Sequence, residues 1–244
     1  MTNFYIFTVM KLITTTKQIA VLIDPDKTNL KKLSTLIVSA NKANIDFFLV
    51  GGSLLQKNNL EEIVVYLKKH SKKKVILFPG NPTQICAKAD GILLLSLISG
   101  RNADLLIGNH VQAAPLLKQS KLDIIPTGYI LIESGTATTV SYISNTTPIP
   151  ANKPEIAVCT ALAGEQLGLQ CIYLEAGSGA KNAVHQETIR AVRKSISLPL
   201  IVGGGLRSKA QIEAAFDAGA DIVVVGTAIE NNIHFLDEIK SIKK

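Results

Sequence analysis

Cys171-Ile-Tyr-Leu-Glu-Ala-Gly-Ser-Gly179, Leu200-Ile-Val-Gly-Gly-Gly-Leu206 and Asp221-Ile-Val-Val-Val-Gly-Thr-Ala228 are three strand ends of one kind. Each is a short apolar run that stops at glycine or a small polar residue and gives way to a helical pattern. Exposed backbone N–H groups therefore collect at the same end of successive parallel strands. A phosphate pocket at the mouth of a (β/α)8 barrel is built in this way.

The same alternation runs back through the chain. Apolar runs of strand length stand at 19–24, 45–51, 75–78, 91–95, 124–132, 172–175, 200–202 and 222–225, with helical stretches between them. Eight strands in 244 residues favour closure into one TIM-type barrel domain spanning 1–244, since such barrels take roughly 250 residues. Helices are clearest at 29–43, 60–70, 153–168, 186–195, 209–218 and 234–242. Ser208 stands as a cap before one, and Pro154 sits in the first turn of another. The third unit departs from the pattern: Pro79, Gly80 and Pro82 leave little room for an outer helix, so the ring is expected to be open there. Residues 134–152, rich in Thr, Ser and Pro, form the one long loop expected, and loops of that length are usually functional or mobile.

Composition narrows the classes of function. A hydrophobic content of 47% is ample for a packed core. Cys86, Cys159 and Cys171 form no Cys-x-x-Cys pair and read as small core residues in a reducing compartment. Tyr5-Ile-Phe-Thr-Val-Met-Lys-Leu-Ile13 is short, interrupted by Lys11 and without a basic leader, so it reads as a cap or strand of a cytoplasmic protein. The net charge of +7 sits in lysine patches such as Lys68-Lys69 and Lys72-Lys73-Lys74, without interleaved aromatics or a nucleic-acid-binding signature. These read as solvated faces; the excess charge equally suits anionic substrates or peripheral contact with an anionic membrane surface.

Several strand ends carry chemistry. Ile23-Asp24-Pro25-Asp26-Lys27 places two carboxylates and a lysine at the mouth. Asp24 is read as a Mg²⁺ ligand and Asp26 as a cap for the following helix. Gly51-Gly52-Ser53 allows close backbone approach and offers the Ser53 hydroxyl beside the same cation; alone it would equally be a turn with a helix cap. Glu175, at the end of the sixth strand, is placed to accept a proton from a substrate hydroxyl, against a bland reading as a cap or ion-pair partner of Lys181. Tyr173 points the same way by strand alternation, either as core filling or as a hydroxyl over bound substrate. Gly203-Gly204-Gly205 and Gly226-Thr227 end strands seven and eight, where such barrels frequently bind phosphate. Arg207 reads as an outer salt-bridge residue. Arg101, Asn109 and Lys27 are open as diphosphate contacts, and the segment 99–110 equally suits a structural or interface role. His110 has no nearby nucleophile in the sequence, and no histidine reads as catalytic.

Taken together, Ile-Asp-Pro-Asp-Lys at 23–27, Gly-Gly-Ser at 51–53, Ser-Gly-Arg-Asn and Gly-Asn-His within 99–110, Tyr-Leu-Glu-Ala-Gly-Ser-Gly at 173–179 and Val-Gly-Gly-Gly-Leu-Arg at 202–207 resemble the geranylgeranylglyceryl phosphate synthase family, the PcrB-like prenylglyceryl phosphate synthases. The resemblance covers nearly the whole chain and is to the larger archaeal and Bacteroidetes-type branch. In the smaller bacterial branch a lysine stands two residues before the metal aspartate; here that residue is Leu22.

The resemblance implies a modified barrel without its third outer helix, joining sn-glycerol 1-phosphate to a polyprenyl diphosphate, geranylgeranyl diphosphate first, with Mg²⁺. It implies Asp24 and Ser53 as metal ligands. It implies Tyr173, Leu174, Glu175, Ala176, Gly177, Ser178 and Gly179, with Gly204, Gly205, Gly226 and Thr227, as the glycerol 1-phosphate site. A homo-oligomer is the family expectation. In the mechanism that follows, Mg²⁺ eases diphosphate departure and Glu175 deprotonates the C3 hydroxyl, while Leu93, Leu95 and Ile98 are candidate walls of a prenyl groove. Two other classes compete. A phosphosugar isomerase or aldolase-like barrel would need a Schiff-base lysine or an acid/base pair at the strand ends, where only Lys27 stands, past the turn. A non-catalytic prenyl- or phosphate-binding protein would have no use for both Asp24 and Glu175.

Overall fold

Eight parallel strands close on one another in sequence order, β1 to β8 and back to β1. The computed structural model describes residues 17–43 and 45–242, so the expected N-terminal cap or strand at 5–13 lies outside the described residues. The strands are β1 Gln18–Ile23, β2 Phe47–Val50, β3 Lys74–Leu77, β4 Gly91–Leu97, β5 Asp123–Leu131, β6 Cys171–Glu175, β7 Leu200–Gly203 and β8 Ile222–Val225. All eight expected runs are strands, displaced at their ends by a residue or two.

Period-two alternation sorts each strand into two apolar layers. Inside the barrel, Phe47, Leu49, Ile76, Leu93, Tyr129, Tyr173 and Ile201 fill the axis. Outside it, Ile19, Phe48, Val75, Ile172, Leu174 and Val223 face the helical ring. The strands are therefore apolar on both faces and read as nearly continuous hydrophobic runs.

The helices are α1 Leu30–Lys42, α2 Leu60–His70, α3 Asn109–Ser120, α4 Thr139–Ile143, α5 Pro154–Gln166, α6 Gln186–Ser195, α7 Lys209–Asp217, α8 Thr227–Asn231 and α9 Phe235–Ile239. Asn29 caps α1 by accepting from the Lys32 N–H, and Ser208 caps α7 in a reciprocal box with Gln211. Asp26 caps neither: its carboxylate accepts the Gln56 and Lys57 N–H groups at 2.7 and 2.9 Å, tying the first βα loop to the second. No helix lies between β3 and β4, as the prolines there require.

Three elements depart from the expectation. The segment after β4 is helical, opening with a π-helical turn at Asp104–Gly108 that runs into α3. This helix carries Pro115 within it and leaves apolar residues exposed, so no amphipathic stripe announces it. Residues 134–152 are not a bare loop: Thr138 caps α4 within them, and Ile132 pairs with Ile149. Cys86 and Cys171 are buried as expected, but Cys159 is exposed on α5. Among the described residues, no helix is long and apolar enough to cross a membrane.

Candidate active site

Glu175 is the last residue of β6 and is 5% exposed. Its Oε1 accepts the Gly177 N–H at 2.6 Å, not a bond from Lys181. Burial pushes the carboxyl up to about 7, against the Gly177 N–H and the Tyr173 and Tyr129 hydroxyls, which favour the ionised form. A carboxyl poised near neutrality suits a general base. Burial and the Glu175 charge together raise both tyrosines well above their ordinary range, so their hydroxyls stay protonated.

The aromatic floor beneath Glu175 is made by three strands. Tyr173 is fully buried, stacked on Phe78 at 5.4 Å and edge-on to Tyr129 at 5.3 Å between ring centres. Its hydroxyl faces the Glu175 carboxylate and favours its ionised form, but the two do not meet hydrogen-bond geometry.

The three consecutive glycines after β7 have three different reasons to be glycine. A β-carbon on Gly203 would stand 2.2 Å from the Tyr173 hydroxyl. Gly204, at φ +79°, would place one 2.4 Å from Glu175 Oε1, and Gly205, at φ +71°, would meet the Ala183 N–H nitrogen at 2.9 Å. The N–H groups of Gly204, Gly205, Gly226 and Thr227 donate to no described residue. Ser178 Oγ lies 3.5 Å from Thr227 Oγ1, joining the sixth and eighth loops across this row of amides.

Asp24 directly follows β1, the strand that pairs with β8. Its Oδ1 accepts the Asp26 N–H at 3.0 Å, and Lys27 Nζ lies 3.3 Å from its Oδ2. A β-carbon on Gly52 would sit 3.6 Å from Asp24 Oδ1, so the second strand's glycine turn, with Ser53 next in chain, lies directly against this carboxylate. Among the described residues no cluster of three His, Cys, Asp or Glu side chains could hold a metal. One carboxylate beside one hydroxyl is a hard-oxygen donor set that fits Mg²⁺ when substrate phosphates and water complete its shell.

Asp24, Ser53, Tyr173, Glu175, Gly177, Ser178, Gly179, Gly204, Gly205, Gly226 and Thr227 line one polar cup of about 320 Å³ at the mouth. Leu174 and Ala176 do not: alternation turns Leu174 toward the helical ring, and Ala176 packs in the same outer layer. Arg207 borders the cup too, and forms no salt bridge among the described residues; its guanidinium donates to the carbonyls of Ala180 and Lys181, bracing the sixth loop. Thr138 presses on Gly177, where a β-carbon would meet its Cγ2 at 2.5 Å.

A second cavity, about 120 Å³, opens from the cup where the third outer helix is missing. Gly52, Ser53, Phe78, Tyr129 and Val140 line both, so cup and groove are continuous. The groove runs over Ile85, Ile92 and Leu94 on one side and Ala113 and Leu117 of α3 on the other. Of the three expected wall residues only Leu95 lines it: Leu93 fills the barrel interior, and Ile98 packs against α5 near Gly164. Asn109 and His110 also line the groove, whereas Arg101, at φ 52°, borders neither cavity. His110 Nε2 does have a hydroxyl beside it, Ser96 Oγ at 3.2 Å on the outer face of β4, and burial lowers its pKa, so the ring is neutral in this apolar wall. Sequence reasoning missed the groove's main wall, α3, for the reason that hid the helix itself.

Fold and site define a (β/α)8 barrel whose cup of unbonded backbone amides is joined sideways to an apolar groove. Within that class, the chain belongs to the PcrB family, whose model matches residues 11–244. It is 54% identical to the geranylgeranylglyceryl phosphate synthase of Spirosoma linguale, over 93% of this chain and 91% of that one. It is 42% identical to the protein of that name from Pyrococcus furiosus, over 86% of this chain and 84% of that one. The crystal structure of (S)-3-O-geranylgeranylglyceryl phosphate synthase from Thermoplasma acidophilum, in complex with its substrate sn-glycerol-1-phosphate, superposes with a TM-score of 0.87 at 32% identity, covering 93% of this chain and 91% of that one.

Proposed function

We propose that this protein transfers a geranylgeranyl group from its diphosphate to the C3 hydroxyl of sn-glycerol 1-phosphate. The observation that carries the reading is the continuity of the two cavities: Glu175 and the free amides lie in the cup, and an apolar channel leaves it past Tyr129 and Phe78. A small phosphate and a long hydrocarbon therefore meet at one buried carboxylate. The family relatives and the bound ligand of the Thermoplasma acidophilum structure support the same substrates.

The N–H groups of Gly204, Gly205, Gly226 and Thr227, with the Ser178 hydroxyl, hold the phosphate and fix the glycerol. The C3 hydroxyl faces Glu175. Its oxygen forms the ether bond to C1 of the prenyl chain as the C1–O bond to diphosphate breaks, the electron pair leaving with diphosphate. Glu175 takes the hydroxyl proton, with Oε1 held by Gly177. The Tyr173 hydroxyl supplies a donor within the cup. Asp24 and Ser53 would hold Mg²⁺, which when bound neutralises charge on the diphosphate. The groove walls exclude water from the allylic carbon.

A homo-oligomer belongs to the same reading, supported by Val111 and Leu116 left exposed on α3. The acceptor assignment is tested by calorimetric titration with sn-glycerol 1-phosphate and its 3-phosphate enantiomer. Binding of the first at least about tenfold tighter, a difference of roughly 1.4 kcal/mol, supports it; equal affinities count against it.

A further inference from the structure

Lys27 is placed where none of the chemistry above uses it. Its Nζ lies 3.3 Å from Asp24 Oδ2 and 3.4 Å from Glu230 Oε2, an ammonium shared between a carboxylate after β1 and one on α8. Both contacts are longer than a close charge-assisted hydrogen bond, so the lysine is committed fully to neither. The nearby Asp26 carboxylate is already taken by the Gln56 and Lys57 N–H groups and does not compete for it. Asp24 Oδ1 is likewise engaged by the Asp26 N–H. The remaining oxygen of Asp24, the one a cation would take, is thus the one that Lys27 faces.

We propose that Lys27 is an internal counter-cation that makes the mouth discriminate against a bare divalent ion and in favour of a divalent ion delivered with diphosphate. This inference rests on the assignment of Asp24 as the metal ligand. A divalent ion arriving alone must share Asp24 with an ammonium a few ångströms away, and that repulsion is only partly screened at a half-open rim. A diphosphate arriving with the ion reverses the sign, because its excess negative charge gives the displaced ammonium a new partner. Glu230 is the resting place that lets Lys27 leave Asp24 without losing ion pairing altogether. Cation and diphosphate are then positively coupled through one side chain, and the coupling is reciprocal.

The test uses the purified full chain, Mn²⁺ as the probe ion and inorganic pyrophosphate as the probe anion, with protein-bound Mn²⁺ read by equilibrium dialysis against a matched Mn²⁺–pyrophosphate solution without protein. In the unaltered protein Mn²⁺ is expected to bind weakly alone and at least about tenfold more tightly with pyrophosphate. Lys27→Met should tighten binding of Mn²⁺ alone about five- to tenfold and reduce the pyrophosphate enhancement by a similar factor. Glu230→Gln should weaken binding of Mn²⁺ alone, and more strongly with Lys27 present than in the Lys27→Met background, since only then does the lysine fall back onto Asp24. An enhancement unchanged within twofold in Lys27→Met overturns the proposal, as does an equal effect of Glu230→Gln in both backgrounds. Asp24→Asn separates the two layers of inference: pyrophosphate-dependent Mn²⁺ binding that survives it removes the metal assignment itself, whatever Lys27 does.

Discussion

Gly203 and Tyr173 are fitted to each other across adjacent strands: a β-carbon on the glycine would lie 2.2 Å from the tyrosine hydroxyl and 2.9 Å from its ring. Tyr173 has nowhere to retreat, being fully buried between Phe78 and Tyr129. Gly203→Ala is therefore expected to destabilise the protein by about 1–3 kcal/mol and to depress turnover by displacing Tyr173 under Glu175. Chemical denaturation of Gly203→Ala and of the double variant with Tyr173→Phe checks this. Partial recovery in the double variant is expected, because deleting the hydroxyl removes the nearest clash.

Tyr173→Phe alone has the opposite sign on stability. A buried hydroxyl outside hydrogen-bond geometry costs about 1–3 kcal/mol, so below the Glu175 pKa, where that carboxyl is neutral, its removal should raise the melting temperature of the ligand-free protein by about 2–4 °C or more. The same variant should bind sn-glycerol 1-phosphate more weakly. A gain in stability with a loss of affinity marks a group kept for substrate rather than for the fold.

Glu175 links activity and stability to pH in opposite directions. Its folded-state pKa of about 7 lies above the ordinary 4.5, so its contribution to stability is present below the ordinary value and lost as pH rises through about 7. The loss is about 3 kcal/mol at pH 8. Over the same range kcat/KM should rise, because the base must be ionised to accept a proton. In Glu175→Gln the stability decline between pH 5 and 8 should flatten by about 2–3 kcal/mol. Its kcat should fall by at least about a hundredfold while sn-glycerol 1-phosphate still binds. Denaturation midpoints across pH and a pH–rate profile read both halves.

The groove is separable from the cup. Ala113 is buried on the face of α3 that walls it. Ala113→Phe should raise KM for geranylgeranyl diphosphate at least about tenfold while leaving the affinity for sn-glycerol 1-phosphate within twofold. Calorimetry with the glycerol phosphate and steady-state kinetics with the diphosphate distinguish this from general unfolding.

Strands were the most legible part of the sequence because a parallel barrel buries both faces of each, leaving compact apolar runs such as Ile222 to Val225 bounded by glycine. The missing third helix was equally plain, since Pro79 and Pro82 act locally on the backbone. Features set by long-range packing were hidden. Helix α3 is exposed on one face yet keeps Val111 and Leu116 there, so its pattern does not separate inside from outside. The glycines read as a phosphate cup also answer to Tyr173 and Glu175, a constraint imposed by neighbouring strands that no spacing within 203–205 reveals. Leu174 and Ala176 came with a contiguous motif, but alternation sends only every second side chain into the cup.

Transfer itself is the most direct measurement: purified protein with Mg²⁺, radiolabelled glycerol 1-phosphate and geranylgeranyl diphosphate, scored by label extracted into organic solvent. Label should move with sn-glycerol 1-phosphate but not with the 3-phosphate, and should stay aqueous without Mg²⁺ or with Glu175→Gln. No extraction with geranylgeranyl or longer diphosphates, or undiminished extraction by Glu175→Gln, would contradict a prenyl transfer centred on that carboxylate.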